Sequence, residues 1–174
     1  MDVIKLRKID FDELSQKSKD SLSNNRTVKF LQNAPTEYNQ LLGDIEQTVN
    51  AIYNDPKIQE VLSTLEYELG VEDINKQGIS GHIDMIGYTK NGTFRIFDFK
   101  TTSSEVLTPY TRAYHYIQLE MYTRLLQQNG IQWDPGHCER FNIQILFDED
   151  GHISYNGMLA AEEQVSIDKA RKFN

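Results

Sequence analysis

The sequence predicts an α/β domain, a mixed central sheet flanked by helices, and three observations carry that reading. Helical spacing of apolar residues gives way near residue 65 to alternating, strand-like spacing. An Asn-Gly pair then joins two of the strands, and a long helix separates the first three strands from the last two. At 174 residues the chain fits one domain with a real core.

The elements follow in order. Asp12 to Leu22 is polar with sparse apolar positions, a weak helix closed by Asn24-Asn25. Pro35-Thr36 opens a stronger helix, with Tyr38, Leu41, Leu42, Ile45, Val49 and Ile52 at helical spacing. Asp55-Pro56 is a cap followed by proline at the first helical position, starting a short helix through Ile58, Val61 and Leu62. Leu65 to Val71, Gly78 to Tyr88 and Thr93 to Phe99 suit strands, the last two joined at Asn91-Gly92. A helix runs from about Thr111 to Gln128, stopped by Asn129-Gly130, with Tyr114, Ile117, Met121 and Leu125 as its packing stripe. Phe141 to Phe147 and Ile153 to Met158 are strands joined at Asp148-Glu149-Asp150-Gly151, and 160–172 is a closing helix. The whole, 1–174, reads as a single domain: an extension over 1–35, a core over 36–147, and a C-terminal strand and helix over 148–174.

Composition excludes several classes. No apolar run approaches the roughly 18–20 residues of a membrane helix, and Met1 to Arg7 alternates charged with apolar residues, unlike a signal peptide. The single cysteine, Cys138, excludes an internal disulfide framework and a four-cysteine zinc or iron–sulfur site within this chain. A reducing, cytoplasmic setting is the expectation. The net charge of −8 by itself argues against a nucleic-acid partner. Its distribution softens that argument: residues 1–75 carry 8 basic and 14 acidic side chains, residues 76–140 carry 7 and 6, and residues 141–174 carry 3 and 6. A cation held in the middle segment makes it positive, with Lys90, Arg95, Lys100, Arg112, Arg124 and Arg140 as candidate phosphate contacts.

The informative stretch is Gly81-His82-Ile83-Asp84, the Asn-Gly turn, and Ile96-Phe97-Asp98-Phe99-Lys100-Thr101. Strand alternation puts His82 and Asp84 on one face, and Asp98 and Lys100 on one face of the next strand. A hairpin between them can bring both acids together, where two bare carboxylates repel. A hard cation such as Mg²⁺ or Mn²⁺ removes that conflict. On a solvent-facing strand an Asp-x-Lys carries no message. Here Phe97 and Phe99 flank it, and charges in so apolar a strand need a reason.

The run resembles the PD-(D/E)XK nuclease superfamily, and within it the RecB-like branch that includes Cas4-type exonucleases. That branch carries Gly-x-x-Asp, then Asp-x-Lys, then Gln-x-x-x-Tyr on the following helix. This sequence has Gly81-x-x-Asp84, Asp98-x-Lys100 followed by Thr101, and Gln118-Leu119-x-x-Tyr122, over roughly residues 36–147. The resemblance implies a restriction-endonuclease-like αβββαβ core and a Mg²⁺- or Mn²⁺-dependent deoxyribonuclease, exo- or endonucleolytic. Asp84, Asp98 and Lys100 are then catalytic. Asp84, Asp98 and the Phe99 backbone carbonyl are metal ligands. Gln118 and Tyr122 bind substrate, with Thr101 and His82 as supplements. DNA is the implied partner, with RNA second. A helicase or other replication or repair protein in a bacterial or phage-infected cell is the implied context.

Two positions depart from the family pattern. A histidine or glutamate usually stands on the helix before the strands, but no histidine precedes His82, which leaves Glu46 as the favoured ligand, Asp44 second, and Glu66 or Glu68 as supplements. Ile83 stands where the superfamily's proline would be. A non-catalytic binding module that keeps the fold is the competing reading. Phosphate-loop, His-Glu-x-x-His and Cys-x-x-Cys motifs do not occur, and His137-Cys138 reads as loop. Trp133 and Tyr110 are aromatics that either pack or stack bases.

Overall fold

A computed structural model describes residues 35–163 apart from 74, 76, 77, 104, 105 and 135. The weak helix expected at 12–22 and all but the first residues of the closing helix lie outside the described residues. Helix α1 spans Pro35–Asn54 and α2 spans Pro56–Gln59. The Asp55 carboxylate caps α2 by accepting from the Lys57 N–H at 2.9 Å, with Pro56 at its first position as the sequence implied. After a 3₁₀ turn, Leu62–Thr64, come strands β1 (Glu66–Glu72), β2 (Ser80–Tyr88) and β3 (Phe94–Thr102). Helix α3 (Pro109–Gln128), β4 (Cys138–Phe147) and β5 (Ile153–Ala160) complete the order.

The five strands form one sheet in the order β1-β2-β3-β4-β5. All neighbours are antiparallel except β3 and β4, which run parallel because α3 carries the chain back across the sheet. The Asn91-Gly92 turn places Gly92 at φ +81, a conformation that glycine adopts without a Cβ penalty. Helix α3 starts two residues earlier than its apolar spacing implied, because Thr108 caps it and Pro109 takes the first position. Cys138, expected in a loop, is the first residue of β4 and half buried, and burial pushes its thiol up to about 11.

Each face of the sheet has its own core. Ile52, Ile58, Val61, Met85, Phe97, Phe141 and Ile143 pack together on the α1 side. Val71, Ile83, Ile86, Ile96, Leu119, Tyr122, Leu125 and Leu126 pack on the α3 side. The stripe expected on α3 is corrected. Leu125 is buried, but Tyr114 and Ile117 are exposed. The helix instead buries Arg112, His115, Leu119, Tyr122 and Leu126, which share one helical face. Among the described residues no helix is long and apolar enough to cross a membrane.

Candidate active site

The central strands part where the motif residues lie. The β2–β3 ladder runs from Tyr88 opposite Phe94 to Met85 opposite Phe97 and stops there. The next step would pair Asp84 with Asp98. Instead the Phe99 N–H donates to Asp84 Oδ2 at 2.7 Å, so a side chain replaces the next backbone partner. Strand β2 also turns over at this point. Ile83 and Ile86 belong to the same core cluster, although unbroken alternation would point them to opposite faces. Glu68, between the pairs Tyr67–Met85 and Leu69–Ile83, has φ +51, a left-handed value rare for a residue with a Cβ. Simple alternation, which put His82 and Asp84 on one face, therefore does not hold through Asp84.

On β3 alternation does hold. Ile96 lies in the α3-side core and Phe97 in the α1-side core, so Asp98 and Lys100 face α3. The Lys100 ammonium pairs with Asp98 Oδ2 and donates to Gln118 Oε1 at 2.6 Å. Gln118 Nε2 in turn donates to the Tyr122 hydroxyl at 3.1 Å. Two motifs far apart in sequence thus become one connected chain: Asp98, Lys100, Gln118, Tyr122. The Tyr122 ring lies over Gly81, where an added Cβ would come within 2.9 Å of Tyr122 Cε1. The glycine of Gly81-x-x-Asp84 is there because the ring occupies the space of its side chain.

Electrostatics tie the third motif residue to this group. Burial raises the Asp98 carboxyl above the usual carboxylate range; the Lys100 ammonium opposes the shift and the Asp84 charge adds to it. The Tyr122 hydroxyl is likewise raised, by burial first, opposed by the Gln118 hydrogen bond and assisted by the charges of Asp98 and Asp84. Asp98 Oδ2 is buried, with the Lys100 ammonium beside it but no well-aligned hydrogen bond. A cationic neighbour suits that atom. Together with Asp84 and the Phe99 carbonyl it would make an all-oxygen set of the kind that Mg²⁺ and Mn²⁺ take.

Other expected participants stand elsewhere. Glu46 is exposed and lines a cavity of about 540 Å³ under α1 with Phe99 and Thr101, on the face away from Lys100. Asp44 binds His152 Nδ1 at 3.0 Å, joining α1 to the start of β5. Glu66 and Glu68 are exposed on β1, and His82 is exposed on β2. Among the described residues no three His, Cys, Asp or Glu side chains stand close enough to hold a metal ion.

Most of the expected phosphate-binding arginines are occupied. Arg95 is buried between Glu60 and Glu139, and Arg140 is held by Glu120 and Glu162. Arg112 is buried and donates to the Leu107 carbonyl, and Arg124 pairs with Glu120 at 3.4 Å. The guanidinium groups of Arg95, Arg140 and Arg112 are committed within the fold, whereas Arg124 stays largely exposed beside its in-helix partner Glu120.

The sequence did not reveal the polar group beside the site. The parallel register sets Asn142 next to Asp98 and Gln144 next to Lys100. Asn142 is 0% exposed and Gln144 6%, and neither amide has a hydrogen-bond partner among the described residues. His115, one turn before Gln118, is buried with an unpartnered Nδ1, and burial together with the nearby Lys100 charge pushes it down to about 4. The signal in the sequence was Phe141-Asn142-Ile143-Gln144, an alternation ordinarily read as one wet face.

An αβββαβ order with two carboxylates and a lysine where the central strands part defines the restriction-endonuclease-like class. The family model of the PD-(D/E)XK nuclease superfamily matches residues 7–172, and the chain belongs to that superfamily. Its members generally use divalent metal ions. No curated protein matches the chain in sequence.

Proposed function

We propose that this chain is a RecB-like deoxyribonuclease that hydrolyses phosphodiester bonds with Mg²⁺ or Mn²⁺. The carrying observation is the connected chain Asp98–Lys100–Gln118–Tyr122, which joins the residues of two motifs in a buried setting beside Asp84. Asp84, Asp98 and the Phe99 carbonyl would hold the cation, while Glu46 stands across the sheet from Lys100. A bound divalent cation supplies Lewis acidity at the phosphate and lowers the pKa of water.

The chain's own residues do the rest. Lys100, held by Asp98 and Gln118, orients the attacking water and offsets the negative charge that builds on the phosphate. Asp98 holds that ammonium in place. Gln118 fixes the lysine on its other side, and Tyr122 fixes Gln118. Thr101 and His82 are exposed strand residues that this reading expects to touch the substrate backbone, Thr101 from the α1 side of the sheet. A replication or repair helicase is the kind of partner this reading expects.

The experiment is incubation with single- and double-stranded DNA and RNA, with Mg²⁺, Mn²⁺ or chelator. The expected result is metal-dependent DNA cleavage that falls about 10³-fold in Lys100→Ala. Cleavage surviving both Lys100→Ala and Asp98→Ala overturns the assignment. A non-catalytic binding module is the second reading, favoured by the missing third side-chain ligand among the described residues. DNA binding without cleavage in any metal would decide for it.

A further inference from the structure

Turning α3 so that its polar residues face the sheet leaves aromatic residues outside. Tyr110 is 82% exposed, Tyr114 60% and Ile117 63%, and their spacing of four and three residues puts them on one edge of the helix. The two tyrosines lie about 6 Å apart along the helix axis. Trp133, by contrast, lies against Phe94 at 5.8 Å and Phe94 against Tyr88 at 6.0 Å. Tyr110 has no ring partner among the described residues.

This edge is continuous with the candidate site. The Tyr114 ring meets that of His115 at 6.5 Å, edge-on. Tyr114 is also within electrostatic reach of the Tyr122 hydroxyl, which binds Gln118 beside Lys100. The charge pattern points to a polyanion. Asp and Glu make up 26 of the 174 residues, yet none occurs from Val106 to Leu119. That stretch contains the positive N-terminal end of α3, while its one arginine, Arg112, is buried against the Leu107 carbonyl. In a chain of net charge −8 the helix carries no acid from Tyr110 to Gln118, which binds Lys100, and Asp73 and Glu120 flank only the far end of the edge, at Ile117.

We propose that Tyr110 and Tyr114 form a stacking platform for the unpaired bases of a single-stranded nucleic acid, guiding that strand to Lys100 and Asp98. The proposal rests on the nuclease reading and deepens it, because a platform that uses base faces selects unpaired strands over duplex. Stacking tolerates any sequence, since every base has a π-face.

The test is fluorescence anisotropy with a labelled oligothymidylate of about 12 nucleotides and the matching duplex, both in chelator so that no cleavage intervenes. Tyr110→Ala and Tyr114→Ala should each weaken single-strand binding by about tenfold and duplex binding much less. Tyr114→Phe should bind like the original protein, because the ring and not the hydroxyl makes the contact. In cleavage assays the alanine variants should raise KM more than they lower kcat. Single-strand affinity unchanged in both alanine variants overturns the platform and leaves the edge to a protein partner, as does a wild-type protein that does not bind the single strand. The two readings fail separately. Cleavage lost in Lys100→Ala but indifferent to both tyrosines sinks only the platform, whereas no cleavage in any metal sinks the nuclease.

Discussion

On one side of the sheet Phe97 stacks on Phe141 at 5.6 Å, with Met85, Ile143, Ile52 and Val61 packed around the pair. On the other side, one residue further along the same strands, Asp98 stands beside Asn142 and Lys100 beside Gln144. The same backbone therefore carries an apolar layer and a polar one. Apolar burial on the α1 side stabilises the strands. The α3 side holds a buried carboxylate, a lysine and unpartnered amides, each unfavourable by itself. The difference teaches where stability and chemistry are separated: the first layer holds the second in position.

Substitutions on the two sides should then behave differently. Phe97→Ala removes a fully buried ring from the apolar layer and should cost about 3–5 kcal/mol in urea unfolding. The fraction still folded should cleave at a near-normal rate, and an equal loss of specific activity would blur the division. Gly81→Ala drives a methyl into the Tyr122 ring, with an expected stability loss of about 1–3 kcal/mol. Because Tyr122 steadies Gln118, cleavage by the folded protein should fall as well, by about tenfold. Gln144→Met removes an unpartnered amide while keeping the side chain's length. It should raise stability by about 1 kcal/mol, near 3 °C in Tm, while slowing cleavage. Lower stability with unchanged cleavage would show that Gln144 serves the core and not the site.

Much of this was legible in the sequence. The order of elements, the Asn-Gly turn, the caps at Asp55 and Asn129, and the three motifs follow from local chemistry. What was hidden depends on tertiary pairing. Tyr114 and Ile117 are more apolar than Arg112 and His115, so sequence favours burying the former; the polar layer on β3 and β4 reverses that choice. The turnover of β2 at Asp84 has no local marker, since the left-handed Glu68 opposite is neither glycine nor asparagine. The arginines read as phosphate contacts because their acidic partners come from other elements: Glu60 and Glu139 for Arg95, Glu120 and Glu162 for Arg140. Glu46 followed a family rhythm along α1, but that helix packs on the face opposite Lys100.

The central claim is that Asp84 and Asp98 form a cation site served by Lys100. The most direct measurement is calorimetric titration of Mn²⁺ into the wild type and into Asp84→Asn, Asp98→Asn and Lys100→Ala, with cleavage assayed on the same preparations. The account predicts that both asparagine variants lose Mn²⁺ binding, that the alanine variant keeps it, and that all three lose cleavage. Undiminished Mn²⁺ binding in both asparagine variants would contradict it.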